Sequence, residues 1–158
     1  MPRLATRAGL LFGTFYSLLW CLAGPLTFFS ARMRQGWKQR LGLDQPAPSE
    51  IWIQGASAGE CALVAGLLEH LQDVPVLATT CTSQGLEVLG KMSSPHLQAR
   101  MLPLDLPLLM GRMLDRARPK VVVLLETEIW PGLLMACAAR AVPVVVVNAR
   151  MTAKSLAG

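Results

Sequence analysis

Ile51-Trp52-Ile53-Gln54-Gly55-Ala56-Ser57-Ala58-Gly59-Glu60 is the stretch that sets the architecture of this 158-residue chain. An apolar, β-prone run ends in a loop of small residues and then a carboxylate. Behind it Ala62, Leu63, Ala65, Leu67, Leu68 and Leu71 recur at helical spacing, which predicts strand, tight loop and helix in succession. In an open α/β sheet, ligands bind outside the carboxyl ends of the strands, where such loops lie. Gly55 and Gly59 let the backbone approach a ligand closely, and the first helical turn offers unpaired N–H groups. Glu60 is the single charged side chain among them.

Three readings of the loop stand side by side. Ser57 at the N-cap with Glu60 three residues later is a capping box, which stabilises a helix start by roughly 1 kcal/mol. Gly55-Ala56-Ser57-Ala58-Gly59 also satisfies G-x-S-x-G, the nucleophile elbow of a serine hydrolase. An elbow needs a later acid and histidine, whereas the downstream histidines, His70 and His96, follow no acid at a strand end. The third reading makes Glu60 a general base at the mouth of a sugar site.

Outward from this unit, apolar strands alternate with helices. After strand one (Ile51 to Gln54) and a helix to about Leu71 come Val74 to Thr80, a helix to about Lys91, and a short strand at Ala99 to Leu102. Pro107 opens a helix to about Ala117. Strands at Lys120 to Glu126 and Val142 to Val147 follow, both continuously apolar at their centres. Strands without polar alternation, separated by helices, predict a parallel sheet covered on both faces, an α/β Rossmann-like fold.

Polar residues gather where these strands end. Thr80 and Thr82 close strand two, in a loop ended by Gly85. Glu126-Thr127-Glu128 and Trp130 close strand four, and Asn148-Ala149-Arg150 closes strand five. Together with Glu60, three carboxylates and a guanidinium fall on the edge where ligands bind.

The N-terminal part differs in kind. No charge occurs from Ala8 to Ala31, roughly 24 residues and enough for a bilayer-spanning helix. Arg3 and Arg7 precede the run; Arg32, Arg34, Lys38 and Arg40 follow it, which predicts a globular part on the cytoplasmic side. Phe12, Phe15, Tyr16, Trp20, Phe28 and Phe29 are aromatic anchors, and Gly24-Pro25 leaves a helix lying in one leaflet open beside a spanning one. Residues 1–43 thus read as membrane anchor and basic interfacial segment, 44–50 as linker, and 51–158 as the α/β domain.

Composition limits the partners. Hydrophobic residues make up 53% and the net charge is +5, from 15 basic and 10 acidic residues. The positive excess flanks the N-terminal run, and no basic-aromatic array of the kind that stacks bases occurs, so nucleic acid is disfavoured. Cys21, Cys61, Cys81 and Cys137 show no C-x-x-C spacing and no clustered histidine, so neither a metal site nor a disulfide framework is expected.

Five ordered stretches resemble the Kdo transferases, which attach 3-deoxy-D-manno-octulosonic acid (Kdo) to lipid A precursors: Gly55 to Glu60, Thr79-Thr80-Cys81-Thr82-Ser83-Gln84-Gly85, Leu102-Pro103-Leu104-Asp105-Leu106-Pro107, Glu126-Thr127-Glu128-Ile129-Trp130-Pro131 and Val147-Asn148-Ala149-Arg150-Met151. The resemblance covers nearly the whole chain. It departs at Ala58, where the family usually has Val, and at Ser83-Gln84, where it has Pro-Thr.

The resemblance implies two facing Rossmann-like domains, the GT-B arrangement, with this chain as the N-terminal, acceptor-binding one. The donor CMP-Kdo would be held by a C-terminal domain not in this sequence. It further implies that Glu60 is the base that deprotonates the acceptor hydroxyl, with inversion at the anomeric carbon and no cofactor or metal. Glu126 is expected to stabilise oxocarbenium character, with Glu128 second. Ser57, Gly59, Thr80, Thr82, Gly85, Glu128, Trp130, Asn148 and Arg150 are the expected substrate-binding residues. The implied partners are a lipid A precursor (lipid IVA), CMP-Kdo and the bacterial inner membrane. A membrane-anchored Rossmann-like binding module without chemistry of its own is the rival reading.

Overall fold

The computed structural model describes residues 7–27, 30, 34–44, 46–71, 73–92, 94–126 and 128–149. Its centre is a parallel sheet of five strands: β1 (Ile51–Gln54), β2 (Val76–Thr80), β3 (Leu97–Met101), β4 (Val121–Leu125) and β5 (Val144–Val147). The spatial order is β3-β2-β1-β4-β5, with Ile51 level with Val76 on one side and Val121 on the other. The chain builds outward from β1 through β2 to β3, then returns to place β4 on the other side of β1. The topological switch point therefore lies between β1 and β4, where doubly wound sheets open a crevice at their carboxyl ends.

Helices cover both faces, as the uninterrupted apolar strands require. The helices α3 (Ala58–Leu68) and α4 (Ser83–Gly90) follow β1 and β2; α5 (Pro107–Ala117) and α6 (Pro131–Ala139) follow β3 and β4. Side chains alternate along each strand, so each face has its own core. Trp52, Leu77, Val122 and Leu124 point to one side and pack with Met110, Met113, Leu114, Leu133 and Ala136. Ile53, Val76, Ala78 and Leu125 point to the other, against Cys61, Val64 and Leu89. The strands begin and end within about two residues of the expected bounds.

Ahead of the sheet come α1 (Arg7–Thr27) and the single turn α2 (Trp37–Arg40). The charge-free run does form a helix, continuous through Pro25, but its reading as a membrane-spanning helix lacks support. Among the described residues no helix is long and apolar enough to cross a membrane. One side of this helix carries polar contacts, one of them to the rest of the chain. The Tyr16 hydroxyl donates to Asp105 Oδ2 at 2.7 Å, and Ser17 Oγ donates back to Gly13 O at 2.8 Å. Gly13 lies against Met135 of α6, where a Cβ would stand 3.3 Å from Sδ. One side of α1 thus rests on the α/β domain, and Leu11, Phe12, Phe15, Leu18, Leu19 and Leu22 are exposed on the rest. Phe28 and Phe29 lie outside the described residues.

The connection from α2 to β1 is fastened to the sheet. Asp44 pairs with Arg100 of β3 at 2.7 Å, Ser49 N donates to Ala117 O, and Gln98 Nε2 donates to Ser49 Oγ. Arg34 and Lys38 are exposed, but Arg40 turns inward and is only 5% exposed.

Candidate functional site at the switch point

The loop between β1 and α3 closes as a capping box. Ser57 is the N-cap, with extended backbone, and its hydroxyl accepts from Glu60 N. The same hydroxyl donates to Glu60 Oε1 at 2.9 Å, while Glu60 Oε2 accepts from Ala56 N at 2.7 Å. Glu60 reaches one residue beyond the N-cap amide that an ordinary capping box uses. Glu60 is 7% exposed, and each oxygen of its carboxylate accepts from one donor. A carboxylate offers about four lone-pair directions, so room for a further donor remains. Gly55 is needed here because a Cβ would press on Glu60 Cβ, Leu125 Cδ1 and Cys61 N.

Next to it, the end of β2 serves as the frame. Thr80 is fully buried and its hydroxyl donates to Ala56 O, and Cys81 N donates to the same carbonyl. Thr82 is the N-cap of α4, accepting from Gly85 N at 3.0 Å. Gly85 packs directly on Thr80 Oγ1 and Cys61 Sγ, leaving no space for a side chain. These three residues hold the two loops together. Ser57 and Gly59 are the exposed residues of the first loop.

The third wall follows β4. Glu126 has φ of 63°, a left-handed conformation that costs a non-glycine residue roughly 1–2 kcal/mol, and its N–H donates to Val147 O. Strained backbone of this kind clusters at active sites and ligand clamps. Asn148, at the end of β5, has φ of 59°, which asparagine tolerates more easily. Glu128 follows; burial, and then the charges of Glu60 and Glu126, push its carboxyl above the usual carboxylate range. Glu60 follows β1, and Glu126 and Glu128 follow β4, the neighbouring strand, so the three residues lie along one edge of the sheet. Trp130 stands at the start of α6, with its indole N–H buried and without a protein partner among the described residues. Arg150 lies outside the described residues.

Several residues of the site escaped the sequence reading. Gln54 ends β1 almost fully buried, in a relay of buried hydrogen bonds: Trp52 Nε1 donates to Thr79 Oγ1, which donates to Gln54 Oε1. Gln54 Nε2 then points to Cys81 Sγ. Burial first, then the Glu128 carboxylate, pushes the Cys81 thiol up to about 12. Arg40 crosses to the same edge, donating to Cys81 O at 2.8 Å and to Gln35 O. A polar residue closing an apolar strand was the available signal for Gln54; nothing local marked Arg40. Asp105, 2% exposed, stood in one of the stretches that carry the resemblance but was given no role there.

The elbow reading has no base to support it. His70 lies exposed in the turn just after α3, against Gly66 O, and His96 precedes β3 at the opposite end of the sheet from Ser57. No group of three His, Cys, Asp or Glu among the described residues could hold a metal ion.

A family model described as 3-deoxy-D-manno-octulosonic-acid transferase (kdotransferase) matches residues 35–158. The chain belongs to the Kdo transferase family. It is 36% identical over 146 residues to the 3-deoxy-D-manno-octulosonic acid transferase of Haemophilus influenzae, covering 87% of this chain and 34% of that protein. It is 36% identical over 126 residues to the Bordetella pertussis transferase, covering 74% of this chain and 29% of that protein. Identity to a probable mitochondrial Kdo transferase of Arabidopsis thaliana is 32% over 126 residues, 75% of this chain and 28% of that protein. The chain thus spans about a third of the length of these relatives.

Proposed function

We propose that this chain forms the acceptor-binding, base-bearing part of an enzyme that transfers Kdo from CMP-Kdo to a lipid A precursor such as lipid IVA, in lipopolysaccharide synthesis. The observation that carries the reading is the convergence of Glu60, Glu126 and Glu128 at the carboxyl edge of β1 and β4. Glu60 takes the proton of the acceptor hydroxyl as that oxygen attacks the anomeric carbon and CMP departs, which inverts the configuration. The bonds from Ala56 N and Ser57 Oγ orient its carboxylate, leaving the remaining lone pairs for the incoming hydroxyl. Glu126, held in its left-handed conformation, stabilises positive charge developing on the sugar ring, with Glu128 beside it. Ser57, Gly59, Trp130 and Asn148 line the acceptor side, on a frame of Thr80, Thr82 and Gly85, and Arg150, outside the described residues, is a further substrate contact in this reading.

The second part of the reading concerns the membrane. The outer side of α1 presents Leu11, Phe12, Phe15, Leu18, Leu19 and Leu22 to solvent, with Arg34 and Lys38 exposed nearby in the chain. An apolar helix surface next to cations suits the headgroup region of an anionic leaflet. The inner membrane, entered from its cytoplasmic face by a monotopic helix, would bring the lipid acceptor to the same side.

The test is a chimaera in which this chain replaces the matching third of the Haemophilus influenzae relative. Transfer of labelled Kdo from CMP-Kdo to lipid IVA is expected, and Glu60→Gln in the chimaera should slow it by roughly 10²–10⁴. An active chimaera whose Glu60→Gln form works at near-normal rate would remove Glu60 from the chemistry.

A further inference from the structure

The first turn of α6 is capped from a distance. Trp130 at the N-cap makes no side-chain cap bond, and Pro131 at the first helical position has no N–H. The first two amides of the helix, Gly132 N and Leu133 N, both go to Asp105, at 2.9 Å on Oδ2 and 2.8 Å on Oδ1. Asp105 comes from the turn between β3 and α5, 27 residues away in sequence from Gly132. The approach is close: a Cβ on Gly132 would overlap the Asp105 carbonyl and carboxylate. A buried carboxylate at a helix N-terminus is held by the amides and by the helix dipole together.

Among the described residues the Asp105 carboxylate has one further donor, and it belongs to α1. The Tyr16 hydroxyl donates to the oxygen that Gly132 N also uses. The turn is anchored on its other side by Leu104 N donating to Arg40 O. The carboxylate is therefore the joint at which α1, the β3–α5 turn and α6 meet. Residues 128–130 run straight into α6, so the helix start fixes where Glu128 and Trp130 stand relative to Glu60.

We propose that Asp105 is a positioning residue through which the seating of α1 on the domain sets the placement of Glu128 and Trp130 at the sheet edge. The proposal rests on the reading of that edge as the acceptor site, and it links the membrane-facing helix to the site by two hydrogen-bonded steps. When α1 is seated, Tyr16 completes the coordination of the carboxylate, and Asp105 holds Gly132 and Leu133. When α1 lifts away, a buried charge loses one of three donors and its grip on the α6 start loosens. A lipid surface that holds α1 in place would thereby also hold the site in its working geometry.

The test uses the full chain in phospholipid nanodiscs with Tyr16→Phe, which removes one hydroxyl and keeps the ring. Two quantities are read by NMR: hydrogen exchange of the Gly132 and Leu133 amides, compared with Met113 in the interior of α5, and titration of the Glu128 carboxyl. The variant should exchange at Gly132 and Leu133 about tenfold faster while Met113 keeps its rate, and the Glu128 titration should be displaced. Asp105→Asn should move both readouts further in the same direction; if it fails to fold, Tyr16→Phe still decides. Should either the two amides or Glu128 stand still in Tyr16→Phe, the proposal is overturned. Neither readout involves donor or acceptor sugar, so its failure is distinguishable from failure of the transferase reading.

Discussion

Ser57 and Glu60 bond each other in both directions: the serine hydroxyl donates to the carboxylate at 2.9 Å and accepts from the Glu60 amide at 3.3 Å. One pair of residues thus starts α3 and orients the proposed base. The two duties separate on substitution. Ser57→Ala should lower unfolding stability by about 1 kcal/mol, the ordinary value of an N-cap, and reduce transfer by the chimaera only in part. Glu60→Gln keeps an acceptor for Ala56 N and should cost no more than about 1 kcal/mol. Urea unfolding and transfer rate on the same samples check this. A transfer loss in Ser57→Ala as large as in Glu60→Gln would show that the serine itself takes part in the chemistry.

Glu128 makes stability depend on pH. Its carboxyl is raised by burial and by Glu60 and Glu126, so the folded chain holds a proton that the unfolded chain has released. The folded state then binds more protons, and this stabilising contribution, present below the unfolded value, is lost as pH rises through the raised one. Glu128→Gln should therefore stabilise the protein at neutral pH, and the gain should fade below the ordinary carboxylate range. Because the side chain is partly exposed, screening limits the gain to roughly 0.5 kcal/mol. Urea midpoints of both proteins from acid to neutral pH measure the difference. A constant difference across that range would contradict the assignment.

The thiol of Cys81 should be inert although it is part-exposed. With its titration pushed up to about 12, the reactive thiolate is scarce at mild pH. Alkylation by iodoacetamide at slightly alkaline pH should run at least ~10²-fold slower at Cys81 in the folded chain than in urea. Cys137, pushed up to about 11, and Cys61, also raised, should behave alike. Peptide-resolved mass spectrometry reads each site separately, and rapid native labelling of Cys81 would show that the thiol is not held as described.

Truncation should distinguish α1 from α2. Removing residues 1–30 takes away α1 and the Tyr16 bond, and the α/β domain should remain folded. Removing residues 1–43 also takes Arg40, with its bonds to Cys81 O and Gln35 O, and the carbonyl that anchors Leu104. The longer cut should cost a further ~1–3 kcal/mol, the usual loss when buried hydrogen-bonding groups lose their partners. Chemical denaturation of both forms tests the boundary. Equal stability would mean that α2 is a dispensable surface segment.

Much of this molecule is local in origin, and that part was legible in the sequence. A parallel sheet buried on both faces demands continuous apolar strands, so Val121 to Leu125 and Val144 to Val147 announce themselves without knowledge of their neighbours. The Ser57–Glu60 box spans three residues and is equally readable. Its carboxylate also stands where the strand-loop-helix pattern places ligands.

Only tertiary structure decided the rest, because the partners are far apart along the chain. Tyr16 meets Asp105 across 89 positions, and Arg40 meets Cys81 O across 41. No periodicity encodes such distances. A charge-free run of leucines and aromatics gives no sign in the sequence that its tyrosine reaches a buried carboxylate. The left-handed backbone of Glu126 is likewise imposed from outside, where β4 hands the chain over to α6 beside Val147 O. Sequence determined which elements form and which edge carries the carboxylates; packing between distant segments decided which polar groups face that edge and what holds them there.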